Sequence, residues 1–309
     1  MKVGRLLGVA AAATLLLAAF LIVRSRGRDD GNPGPNRAGA QGWSRGEDMP
    51  EGECAPNRSE LEGILRANGI DPARIKTLSR KGGQDALAVE LPPERCVSMW
   101  RTFRLASPRT GYYPLLMWSQ ERFGPDAQKT FAENPAQETL KAGLAMKAEE
   151  WFSSAANAPD GIKASDCRGE WPKQSETSRS EAIHLYMLDS EKELGPGLHT
   201  VPLVFLPVSH SWEVPAYLVL GGWNDCPDPE VQVCMFKYWH DKYGAEVMTD
   251  GGDFVEFYVP RPPEDRESAM KLADQQFLFC YDIVVQGTGT IEALASELLK
   301  SPTWFFWWD

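Results

Sequence analysis

Apolar and polar positions alternate along this chain with periods that change from segment to segment. Residues 6–23, apolar apart from Thr14, form a run between Lys2 and Arg5 on one side and Arg24, Arg26 and Arg28 on the other. A run of that length reaches the lower end of what spans a bilayer, about 17–25 residues. No small-residue cleavage site follows it, so the pattern predicts an uncleaved membrane anchor over residues 1–28 rather than a signal peptide. Both flanks are basic and the inside-positive rule does not orient it. A lone N-terminal span is expected to leave the globular part outside the cytoplasm. Residues 29–56 are rich in Gly, Pro, Asn and Arg with no apolar period, which reads as a flexible stalk.

From residue 57 the periods become structural. Ser59 and Glu62 have capping-box spacing ahead of Leu61, Ile64 and Leu65, and the helix is expected to end near Asn68-Gly69. Residues 86–91 and 112–118 read as strands, the first stopped by Pro92-Pro93. Residues 135–154 read as one long helix, 157–179 as a loop and 183–188 as a strand. These make an N-terminal α/β region over 57–190.

Residues 200–309 are expected to form a separate C-terminal domain. Strands are predicted over 201–208, 216–220, 246–248, 254–259 and 304–308. Helices are predicted over 228–243, 264–280 and 290–300. Pro229 suits a first helical turn and Gly244 a left-handed stop. Asp250-Gly251-Gly252 is a turn signal between two strands. Trp304 to Trp308 is apolar on both faces, the pattern of a central strand. The fold class is therefore α+β, a mixed β-sheet with helices packed on it, after an N-terminal transmembrane anchor and flexible stalk.

The C-terminal domain resembles the bacterial domain-of-unknown-function 4253 family. The resemblance rests on Val214-Pro215-Ala216-Tyr217, residues 221–227 (GGWNDCP), Tyr238-Trp239-His240 and residues 243–246 (YGAE). It continues through Arg261-Pro262-Pro263, residues 280–284 (CYDIV) and residues 304–309 (WFFWWD). Tyr281 stands where the family pattern leads one to expect proline. The resemblance implies a fold and a bacterial source, and no particular reaction.

Composition narrows the functions. The formal net charge of −11 is spread along the chain, which argues against nucleic acid, because phosphate binding needs a basic footprint. Six cysteines, Cys54, Cys96, Cys167, Cys226, Cys234 and Cys280, include no Cys-x-x-Cys pair. They are equally consistent with disulfides in an exported protein and with buried thiols.

The loop Trp223, Asn224, Asp225 and Cys226, after a predicted strand and before a helix, is the best candidate site. Its plainer reading is a turn whose glycines permit tight geometry. Cys226, His240 and Asp282 suggest a thiol, an imidazole and an orienting carboxylate, although helical spacing puts His240 on the outer face. No zinc-like spacing joins Cys226, Cys234, His240 and Cys280, so no metal and no cofactor is expected. Glycine-rich nucleotide loops and Gly-x-Ser-x-Gly elbows are absent. The leading expectation is a non-catalytic module for an unknown protein or small ligand, tethered through residues 6–23. The alternative is an enzyme with an acid-base site near Trp223 to Cys226, using His240 or Asp282.

Overall fold

A computed structural model describes residues 54–118, 123–154, 161–173, 185 and 200–309. The expected anchor over 6–23, most of the stalk and most of the expected strand over 183–188 lie outside the described residues. Among the described residues no helix is long and apolar enough to cross a membrane.

The strands are β1 (Lys76–Leu78), β2 (Ala86–Leu91), β3 (Tyr113–Met117), β4 (Val201–Leu206), β5 (Glu246–Asp250), β6 (Phe254–Tyr258) and β7 (Thr303–Trp307). The helices are α1 (Arg58–Ala67), α2 (Pro93–Thr110), α3 (Pro125–Glu133), α4 (Ala136–Ala145), α5 (Ala148–Ser154), α6 (Val214–Leu218), α7 (Pro229–Tyr243), α8 (Arg266–Phe279) and α9 (Ile291–Leu298). Among the described residues these seven strands form one mixed sheet in the order β1-β2-β4-β3-β5-β6-β7. Neighbours are antiparallel except β3 and β5, which run parallel.

This order bears on the expected division at residues 190–200. β4 belongs to the C-terminal segment, yet it lies between β2 and β3, which come from before residue 118. Every residue of β3 and of β4 is buried. The two segments therefore share one sheet and one core, and the boundary drawn from the sequence runs between strands that are hydrogen-bonded neighbours.

Adjacent residues of β6 show how the sheet is covered, because successive side chains point to opposite faces. Tyr258 meets Trp100 of α2 edge-on at 5.8 Å. Phe257 meets Phe236 of α7 at 4.8 Å on the other face. On the α2 face, Arg104 grips Glu246 through two hydrogen bonds of 2.7 and 2.6 Å. Both side chains are essentially excluded from solvent. Breaking such a pair costs far more than its net contribution, since one charge stays buried.

Several local expectations are corrected by the structure. Residues 216–220 are not a strand: α6 occupies 214–218, with Pro215 in its first turn and Val219 ending it in left-handed conformation at φ 53°. All five of its residues are buried, so the apolar run carries no period to separate helix from strand. The helix expected over 135–154 is two, α4 and α5, broken where Met146 turns extended. Gly143 of α4 presses on α7, and a Cβ there would lie 2.6 Å from Glu230 O and Val233 Cβ. The cap of α1 is Asn57, whose side chain accepts from the Glu60 N–H, rather than Ser59.

β7 is an edge strand, not a central one. Its Trp304 and Phe306 are buried, while Thr303, Phe305 and Trp307 are only half-buried. The buried pair packs on Trp239 of α7, with ring centroids at 6.0 and 5.3 Å. Helix α2 went unread because Pro92-Pro93 signals a stop, although Pro93 sits in the helix's first turn, where proline is tolerated.

Candidate functional site

The loop between α6 and α7 is built on unusual backbone. Val219, Gly221, Gly222 and Asn224 all have positive φ, at 53°, 89°, 73° and 45°. At Gly221 a Cβ would lie 1.9 Å from Pro227 O, so only glycine fits there. The Gly222 N–H donates to Cys226 O (3.1 Å), and the Cys226 N–H donates to Trp223 O (3.0 Å). Together they close a tight turn with exposed Asn224 and half-buried Asp225 at its tip. Asparagine tolerates left-handed backbone better than most side chains, so the turn reading of this segment is structurally sound. The loop follows a helix, α6, and not the strand expected from the sequence.

A second segment meets this tip. The Tyr281 hydroxyl donates to Asp225 Oδ2 at 2.9 Å. Next to it Asp282 is 2% exposed. Its Oδ1 accepts from Gln286 Nε2 at 2.9 Å and its Oδ2 from the Asp309 N–H at 3.3 Å. Burial, then the charges of Asp309 and Asp225, raise its carboxyl above the ordinary range against those two hydrogen bonds. Residues 283–288 form a wide helical turn in which Val285, held by its N–H to Tyr281 O, is 44% exposed. The Cys280 thiol donates to Trp307 O at 2.9 Å, which fastens the same segment to β7.

No disulfide joins any two of the six cysteines. Cys226 and Cys280 are both buried. The Gln232 amide reaches Cys226 Sγ at 3.5 Å and Pro227 O at 3.0 Å, tying the loop to the first turn of α7. Burial pushes the Cys280 thiol well up, and burial followed by Glu149 lifts Cys234 to about 11. Neither therefore offers a thiolate near neutral pH.

Of the residues singled out from sequence, the structure brings together Trp223, Asn224, Asp225, Cys226 and Asp282. His240 is elsewhere. It lies eleven residues beyond Pro229 on α7, about 16 Å along the axis. It is not on a solvent face as its spacing suggested, because Trp212 folds over it with ring centroids at 4.5 Å. Trp212 in turn stacks on His210 at 4.0 Å, and Lys237 Nζ sits 5.1 Å over its ring. His210 Nδ1 lies 2.9 Å from Glu213 Oε1, and His240 Nδ1 lies 3.3 Å from Ala245 O. Burial draws the His240 pKa down to about 4, leaving a neutral imidazole. Cys226, His240 and Asp282 thus form no nucleophile, base and orienter. Among the described residues no three His, Cys, Asp or Glu side chains gather as metal ligands would.

Sequence reasoning missed Tyr281 and Val285 as parts of this site. The signal available was Tyr281 itself, standing where proline was expected and supplying the hydroxyl that clips the loop. Residues 202–309 match the family model described as Domain of unknown function (DUF4253). No curated protein and no solved structure matches the chain.

Proposed function

We propose that this DUF4253 segment and the strands it is threaded among serve as a non-catalytic binding module, and that the binding face is the loop at 222–225 with the turn at 281–285. The observation that carries the reading is the Tyr281–Asp225 hydrogen bond, which holds two half-exposed segments in one fixed arrangement. Trp223 and Tyr281 are half-buried there, and Val285 is one of three large hydrophobic side chains exposed among the described residues. Grouped aromatic and aliphatic surface on pre-organised backbone is how recognition faces are built. The apolar run at 6–23 and the stalk at 29–56 support display of this face at a membrane, with the globular part outside the cytoplasm.

The test is a photo-reactive amino acid placed at Asn224 of the full chain in its native cells. A discrete cross-linked species that disappears with Trp223→Ala is the expected result. No cross-link, or one indifferent to Trp223, removes the reading. Acid-base chemistry at the loop is the rival, and Asp282, with its raised carboxyl, is the group it has left. Asp282→Asn leaves the cross-link in place if the module is non-catalytic.

A further inference from the structure

The segments that build this face carry no basic side chain of their own, and Arg168 reaches their edge to pair with Glu292 at 3.7 Å. Residues 219–236, 281–299 and 301–309, which build it and its surroundings, contain no lysine or arginine. Among the described residues Asp225 accepts from the Tyr281 hydroxyl and has no ion partner. Asp282 lies close enough to Asp225 and Asp309 to feel both charges, and none of the three enters an ion pair among the described residues. Some surface carboxylates elsewhere have ion partners, as in Arg168 with Asp274 or Lys237 with Asp241. Carboxylates beside half-exposed Trp223 and Tyr281 offer a cation both opposite charge and aromatic rings. Val285, one turn from Tyr281, offers an apolar neighbour.

We infer, resting on the reading above, that the occupant of this face is a protein segment carrying arginine or lysine next to an apolar side chain. The cation lies against Trp223 and Tyr281 beside Asp225 and Asp309, and the apolar group covers Val285.

The experiment uses the full chain in neutral-lipid nanodiscs, with empty nanodiscs as the blank. Fluorescence anisotropy follows two labelled peptides, one with arginine and leucine in a serine background and its twin with glutamate for each arginine. The arginine peptide is expected to bind and its twin not. Binding weakens about tenfold with Asp309→Lys. It weakens about threefold with Asp225→Asn, which keeps an acceptor for Tyr281 while removing the charge. Glu133→Lys, the same charge change as Asp309→Lys made on α3, leaves binding unchanged.

If Glu133→Lys weakens binding as much as Asp309→Lys, the attraction is only the net charge of the chain, and the inference falls. If both peptides bind alike and both depend on Trp223, the module reading stands while the cationic partner is wrong. If no substitution at the face alters binding of either peptide, both are wrong.

Discussion

The two ends of helix α7 are built from similar materials and finished in opposite ways. At its C-terminal end, His210 stacks on Trp212, Trp212 meets His240 edge-on, and the His240 ring nitrogen lies against Ala245 O. These half-buried rings pack on one another. At its N-terminal end, Trp223 and Tyr281 are held by left-handed backbone and by side-chain hydrogen bonds that include Tyr281 to Asp225 and Gln232 to Pro227 O, with Asn224 and Val285 left open to solvent. Aromatic content therefore does not identify a recognition face; what identifies it is whether the surrounding chain uses that surface up. The histidine that first drew attention as chemistry belongs to the closed end, where it fills space.

The largest effect that would sharpen this contrast lies under the closed end. Ala245 is followed directly by Glu246, the buried partner of Arg104. Glu246→Ala is expected to cost about 3–5 kcal/mol by leaving the guanidinium buried without its carboxylate. Denaturant unfolding measures it, and a loss below about 1 kcal/mol shows that the pair does not organise this end.

Next comes pH. In the folded chain His240 stays neutral down to about pH 4, whereas unfolded it takes a proton near 6.5. Between those values the unfolded state binds more protons, so stability falls as pH drops from 6.5 to 4, by at most about 3 kcal/mol. Thermal unfolding across that window, with His240→Gln as the flat comparison, checks the sign. A His240→Gln profile as steep as that of the unaltered chain places the titrating group elsewhere.

At the open end, Gly221→Ala combines a left-handed φ with a collision against Pro227 O and is expected to destabilise by about 2–3 kcal/mol. A melting temperature unchanged by that substitution means the loop relaxes freely and is not pre-organised. The smallest effect is Tyr281→Phe, which removes one partly exposed hydrogen bond worth about 1 kcal/mol. It leaves overall stability nearly intact while amide exchange at residues 223–226 accelerates. If exchange there is unaltered, the clip does not hold the loop.

Much of the element order was legible because capping and stop signals are local. Asp228-Pro229 and Gly244 bracket α7, and the Asp250-Gly251-Gly252 turn separates β5 from β6. Two kinds of feature were not legible. α6 is apolar on every side, so it has no period, and β7 looked central because both its faces are aromatic although only one is fully buried. The clip between Tyr281 and Asp225 spans 56 positions and depends on the fold, as does the placing of β4 between β2 and β3. Strand order is fixed by pairing across the whole chain, and hydrophobic period along one segment carries none of it.

That strand order yields the most direct test, because the proposed binding face is carried by a sheet that the family-matched segment does not build alone. Residues 201–309 expressed by themselves would lose both neighbours of β4 and expose a fully buried strand on both edges. The measurement is chemical unfolding of 201–309 beside 54–309. A single cooperative transition in the longer chain, with none in the shorter, is the result expected here. A cooperative transition of equal midpoint in 201–309 alone would contradict it and make the C-terminal segment an independent domain.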